Sequence, residues 1–68
     1  MKNTEINKAE RLLALPEVMQ RTSLKRAWLY AAIARGEFPK PVRLSANRVA
    51  WPESSVATWI ASKIAEAA

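Results

Sequence analysis

Four prolines constrain most of what this chain can become. Pro16, Pro39, Pro41 and Pro52 each lack a backbone N–H, so none belongs in the interior of a helix. Pro16 suits the first position of a helix, where the missing donor has no partner anyway, and Pro52 opens the last helical segment in the same way. Pro39 and Pro41 forbid helix and favour extended chain around them. The single glycine, Gly36, stands just ahead of that pair as a left-handed helix C-cap. Between these marks the chain divides into a short lead segment, a helical middle, an extended stretch and a closing helix.

The segments can be filled in from their apolar spacing. "RLLAL" at 11–15 is too short for a helix and reads as a small strand that covers the core or pairs with a later hairpin. "PEVMQRT" makes about two helical turns, with Val18 and Met19 inward and Glu17 and Arg21 four apart in the favourable order. "TSL" at 22–24 is a break with Leu24 tucked under it. A second helix runs from 25 to 35, with Leu29, Ala32 and Ile33 on its inner face. Two helices joined by a three-residue turn make a helix-turn-helix. In "FPKPVRLSANRVAWP", a turn at Ala46-Asn47 sets Leu44 opposite Val49 and Val42 opposite Trp51, a hairpin with one apolar face and a basic rim. Val56, Trp59, Ile60 and Ile64 then form the buried stripe of the last helix, and Trp51 and Trp59 are core.

Charge narrows the partner. The chain of 68 residues carries 11 Lys and Arg against 6 acids, a net charge of +5. Residues 21–48 hold seven of those cations against Glu37 alone. A basic block between near-neutral ends is the electrostatic footprint of a polyanion binder. Cysteine and histidine are both absent, which excludes disulfides, thiolate or imidazole metal sites and Cys or His nucleophile–base pairs. The acids are six scattered glutamates with no pair placed for acid–base work. No catalytic residue, metal or cofactor is therefore expected. No stretch approaches the roughly 18 apolar residues of a membrane span, and "MKNTEINKAE" has no apolar core of a signal peptide. Residues 1–10 read as a flexible polar lead-in, 11–66 as the folded domain, and the chain as cytoplasmic and nucleoid-associated.

With Leu29 and Ile33 inward, Ala27, Ala31 and Ala34 face outward on the second helix. Arg26 and Tyr30 take one flank, and Trp28 and Arg35 the other. Small alanines let the backbone approach a groove floor, and Arg26 can bond guanine O6 and N7 together or else meet a phosphate. Lys25, Arg21 and Arg35 read as phosphate clamps, which position without reading sequence. Lys40 belongs to the same basic block. Tyr30 either donates to a phosphate or packs against the hairpin. Trp28 either flattens against the domain, stacks on sugar or holds a neighbouring protomer. Arg43, Asn47 and Arg48 on the wing meet backbone or the adjacent minor groove, unless they form only a solvated edge.

The pieces "LPEVMQRT", "LYAAIARGEFPKPVRL" and "NRVAWPESSVATWI" together resemble the AlpA family of phage and prophage regulatory proteins, over residues 12 to 63. The resemblance implies a MerR-like or excisionase-like winged helix-turn-helix. Such proteins act as transcriptional regulators of prophage or island genes, or as recombination directionality factors that bend attachment-site DNA and assist an integrase. Relatives read "GLSRSTIY" where this chain has "SLKRAWLY", so Arg26 and Tyr30 carry over as DNA contacts. Ala27, Trp28 and Ala31 depart from the pattern. Lys25 replaces a capping serine, so Ser23 is expected to cap a slightly longer helix.

The fold expected is α+β, a small winged helix-turn-helix. Its parts are a short N-terminal strand, a two-helix helix-turn-helix, a β-hairpin wing and a C-terminal helix. The function expected is sequence-specific binding of double-stranded DNA, with integrase or RNA polymerase as further partners and cooperative self-association on repeated sites. A small protein–protein adaptor is the alternative of another class.

Overall fold

The computed structural model describes residues 10–68; the expectation for the lead-in falls, for residues 1–9, outside them. Strand β1 (Leu12–Leu13) leads into helix α1 (Leu15–Thr22), then helix α2 (Arg26–Ala34), strand β2 (Val42–Ser45), strand β3 (Arg48–Pro52) and helix α3 (Glu53–Ala67). The three strands form an antiparallel sheet in the order β1-β3-β2. The hairpin β2–β3 is the wing and α1–α2 the helix-turn-helix, so the chain is a small α+β winged helix-turn-helix. None of the helices described is long and apolar enough to cross a membrane.

Two leucines cannot hold a strand by themselves. β1 survives because Leu12 pairs with Pro52 and Leu13 with Trp51, and both Leu13 and Trp51 are fully buried. Around them close Val18 of α1, Leu29 and Ala32 of α2, Phe38 of the linker and Val56 of α3. Trp51 buries a large ring, and its indole N–H donates to the Pro39 carbonyl at 2.9 Å, satisfying the one polar atom it takes inside. Among the described residues no polar or charged side chain is buried.

The punctuation works mostly as expected. Pro16 falls in the first turn of α1, at its second position, since the helix starts at Leu15. α2 ends in a Schellman motif: Gly36 (φ 76°) donates to Ile33 and Glu37 donates to Ala32. Leu24 is half-buried against the core.

Ser23, expected to start the second helix, instead ends the first. It adopts φ 63° and its N–H bonds the Met19 carbonyl. The N-cap of α2 is Lys25, with no side-chain cap.

The hairpin keeps its turn at Ala46-Asn47 and changes its register. Ser45 pairs with Arg48, but Arg43 pairs with Val49 and Val42 with Ala50, so Leu44 is an extra residue in a β-bulge. A bulge sets two residues against one and re-aims the side chains beyond it. The expected pairs Leu44–Val49 and Val42–Trp51 are therefore absent. Trp51 pairs with Leu13 on the other edge of β3, and Val42, Leu44 and Val49 are all exposed.

The stripe of α3 is also shorter than expected. Val56 is buried and Trp59 and Ile60 only partly so, while Ile64 is 65% exposed.

Candidate nucleic-acid interface

Each sequence-predicted residue can now be sorted by what its charge already touches. Arg21 donates to Glu17 at 3.3 Å and reaches Glu53 at 2.7 Å. Arg11 approaches the same two glutamates at 3.6 and 3.8 Å. Two cations and two anions thus tie the chain before β1 to the starts of α1 and α3. Arg35 reaches Glu37 at 2.9 Å and lies 6.0 Å from the centre of the Trp28 ring. That contact raises the Arg35 pKa and lowers that of Glu37, the shared hydrogen bond being the main cause in both. Lys63 is matched by Glu66. Among the described residues this leaves Lys25, Arg26, Lys40, Arg43 and Arg48 with no acid within ion-pair distance. Arg43 makes only a 3.5 Å contact to the carbonyl of Ala46 within its own turn.

These five lie on the start of α2, the linker before β2, and the hairpin. The start of α2 is itself unusual. It has no side-chain cap and no acid in its first turn, so its first N–H groups and two adjacent cations present positive charge together. The start of α3 shows the contrast. Glu10 accepts from the Ser54 N–H at 3.1 Å and from the Ser54 hydroxyl at 2.7 Å, and the Glu53 N–H donates to the Arg11 carbonyl. Those bonds from Ser54 hold the Glu10 carboxyl below its ordinary pKa.

The helix wheel reads correctly. Ala27, Ala31 and Ala34 are exposed on the outer face of α2. Tyr30 stands edge-on to Trp51 with ring centres 6.4 Å apart, so it packs on the strand that carries the wing. On the opposite flank Trp28 meets Trp59 edge-on, with ring centres 6.4 Å apart, and stays exposed. Trp59, expected in the core, is a half-buried bridge. It touches Phe38 at 4.9 Å and donates its N–H to the Glu37 carbonyl.

Arg26 and Tyr30 of α2 and Asn47 and Arg48 of the hairpin line one cleft of about 450 Å³. The fold therefore brings the helix and wing candidates together. Arg21, Lys25, Ala27, Trp28, Ala31, Arg35, Lys40 and Arg43 do not line it. Leu12, Ala14, Leu15, Leu44, Val49 and Ala50 complete the cleft; Leu44 and Val49 were expected on the apolar face of the hairpin, and the bulge at Leu44 has no local signal in the sequence. Among the described residues no cluster of acids is arranged to hold a metal.

Comparison with known proteins fits this geometry. The family described as prophage CP4-57 regulatory protein (AlpA) matches residues 11–64, nearly all of the described residues. The chain belongs to the AlpA family. An uncharacterized protein of Enterobacteria phage P4, ORF88, is 46% identical to this AlpA-family chain over 56 residues. The match takes in 82% of this chain and 64% of that protein, so the chain spans less than two thirds of its relative. No solved structure matches. AlpA proteins are phage regulatory proteins, and the winged helix-turn-helix is the part of this AlpA-family chain that the match covers.

Proposed function

We propose that this chain is a regulator of a prophage or mobile element that binds double-stranded DNA. α2 lies in the major groove, presenting Arg26, Ala27, Tyr30 and Ala31 to base edges. Lys25 and Lys40 meet phosphates, and the wing meets backbone or the adjacent minor groove through Arg43, Asn47 and Arg48. The observation that carries this reading is the separation of charge. Among the described residues Arg11, Arg21, Arg35 and Lys63 have glutamate partners, while Lys25 and Arg26 at the start of α2, Lys40 before the hairpin, and Arg43 and Arg48 on the wing have none. Unpaired cations at an uncapped helix start are matched by an anion supplied from outside. Arg21 and Arg35, each already held by a glutamate, contribute less than the other five.

The test is a genome-wide map of the fragments the protein retains at moderate salt, repeated with Arg26→Glu and Arg48→Glu. DNA binding predicts discrete sites that vanish in the double variant while its circular dichroism stays that of a folded domain. An adaptor for an acidic protein predicts no sites for either. Sites upstream of genes assign transcriptional regulation. Tandem sites at an attachment region assign recombination directionality, with an integrase as partner.

A further inference from the structure

Residues 35–41 join α2 to the hairpin. They form neither helix nor strand, so no backbone ladder along them fixes the angle between these two parts. Two tryptophans from other elements hold them instead. Trp51 of β3 donates its indole N–H to the Pro39 carbonyl, and Trp59 of α3 donates to the Glu37 carbonyl, each at 2.9 Å. Between the two bonded carbonyls Phe38 is buried and stands edge-on to Trp59. The same two indoles also meet α2 on its opposite flanks, Trp51 at Tyr30 and Trp59 at Trp28.

Burial in the core accounts for Trp51. Trp59 is different, because it is only half-buried. Its hydrogen bond lies at the surface, where water can serve the Glu37 carbonyl in its place and the net gain in stability is small. What the indole N–H adds over a plain apolar ring is direction, since a hydrogen bond fixes both distance and angle.

We infer that Trp59 is a positioning residue for DNA recognition. It ties α2 (through Trp28) and the chain leaving α2 (through Glu37) to α3, and so sets the angle between α2 and the wing. This rests on the DNA-binding reading, in which Trp59 itself has no contact. Sequence-specific binding requires α2 and the wing to meet their parts of one site at the same time, and a preset angle lowers the ordering cost of doing so. Binding to arbitrary sequence rests on phosphate charge, which the two parts can meet at many relative angles. Loss of the tie therefore weakens binding to the preferred site and spares the rest.

The experiment titrates two labelled duplexes with the full chain by fluorescence anisotropy at several salt concentrations. One carries a site selected from random sequence by the unsubstituted chain, and the other is of mixed sequence. Trp59→Phe keeps an aromatic ring beside Phe38 and Trp28 and removes the N–H. It is expected to weaken binding to the selected site roughly fivefold, leaving mixed-sequence affinity and both salt slopes unchanged. Val56→Ala, fully buried on the same helix, is expected to lower the thermal midpoint further than Trp59→Phe and to keep the preference for the selected site. Residual dipolar couplings of the free protein are expected to report one fixed orientation of α2 and hairpin in the unsubstituted chain, and weakened hairpin couplings in Trp59→Phe. An unchanged preference or unchanged couplings in Trp59→Phe overturns the inference and leaves DNA binding standing. Equal losses on both duplexes, with a midpoint as low as that of Val56→Ala, also overturn it, because the residue is then merely structural. Binding of neither duplex by the unsubstituted chain overturns the DNA reading and the role in recognition together.

Discussion

Gly36 holds φ 76° at the end of α2, and nothing lies within 4 Å of the place where a Cβ would stand. The cost of a side chain there is therefore a backbone cost alone. Gly36→Ala is expected to lower stability by about 1–2 kcal/mol, read by chemical denaturation, with the slope of the transition unchanged. This position was legible because one glycine before two prolines has few other uses. The charged residues were less so. Arg26 and Tyr30 fall on the expected flank of α2, and helical periodicity is sufficient to put them there. The hold of Glu17 on Arg21 follows from their spacing, but that of Glu53 could not be read, because the tertiary fold alone brings it there. A count of cations along a chain says nothing about which of them the folded molecule has neutralised.

At the scale of elements, the start of α3 depends on a residue that precedes β1. The Glu10 carboxylate accepts two bonds from Ser54, and its pKa is lowered mainly by the bond from the Ser54 hydroxyl. A carboxyl lowered in the folded state gives stability that is complete above its unfolded pKa and is lost as pH falls through the folded value. Glu37, lowered by Arg35, acts in the same direction. The thermal midpoint is therefore expected to fall on acidification below the ordinary glutamate range. Glu10→Gln should lower it at neutral pH, and the gap between variant and unsubstituted chain should close at low pH. A gap that persists unchanged at low pH would show that the carboxylate charge is not what caps α3. The bulge in the hairpin marks the limit of pattern reading at this scale. Alternation of apolar residues finds both strands and the turn, but it counts pairs as if none were skipped. Leu44 is the residue skipped between the pairs Ser45–Arg48 and Arg43–Val49, and nothing in the alternation marks it.

For the whole molecule, the sheet order and core follow from a few large residues. Leu13, Leu29, Val18, Val56 and Trp51 are the largest fully buried side chains, one from each element except β2. A domain of this length holds roughly 3–10 kcal/mol of stability, and truncating a buried leucine costs about 2–5 kcal/mol. Leu13→Ala is thus expected to leave the chain near its unfolding midpoint at ambient temperature, seen as lost helical circular dichroism and a broad, early melt. The architecture was legible in the sequence because prolines and apolar spacing act locally, whereas the cleft was not, since it is built from residues of β1, α2 and the hairpin at once. The placement of the tryptophans has a practical result. Trp51 has no exposed surface, Trp59 is half-buried and Trp28 is 42% exposed, so the protein's own fluorescence contains a sealed emitter, a half-open one and an open one. A dissolved quencher reaches Trp28 while the fold stands, and reaches Trp51 only once the core has opened, so unfolding can be followed without attaching a dye.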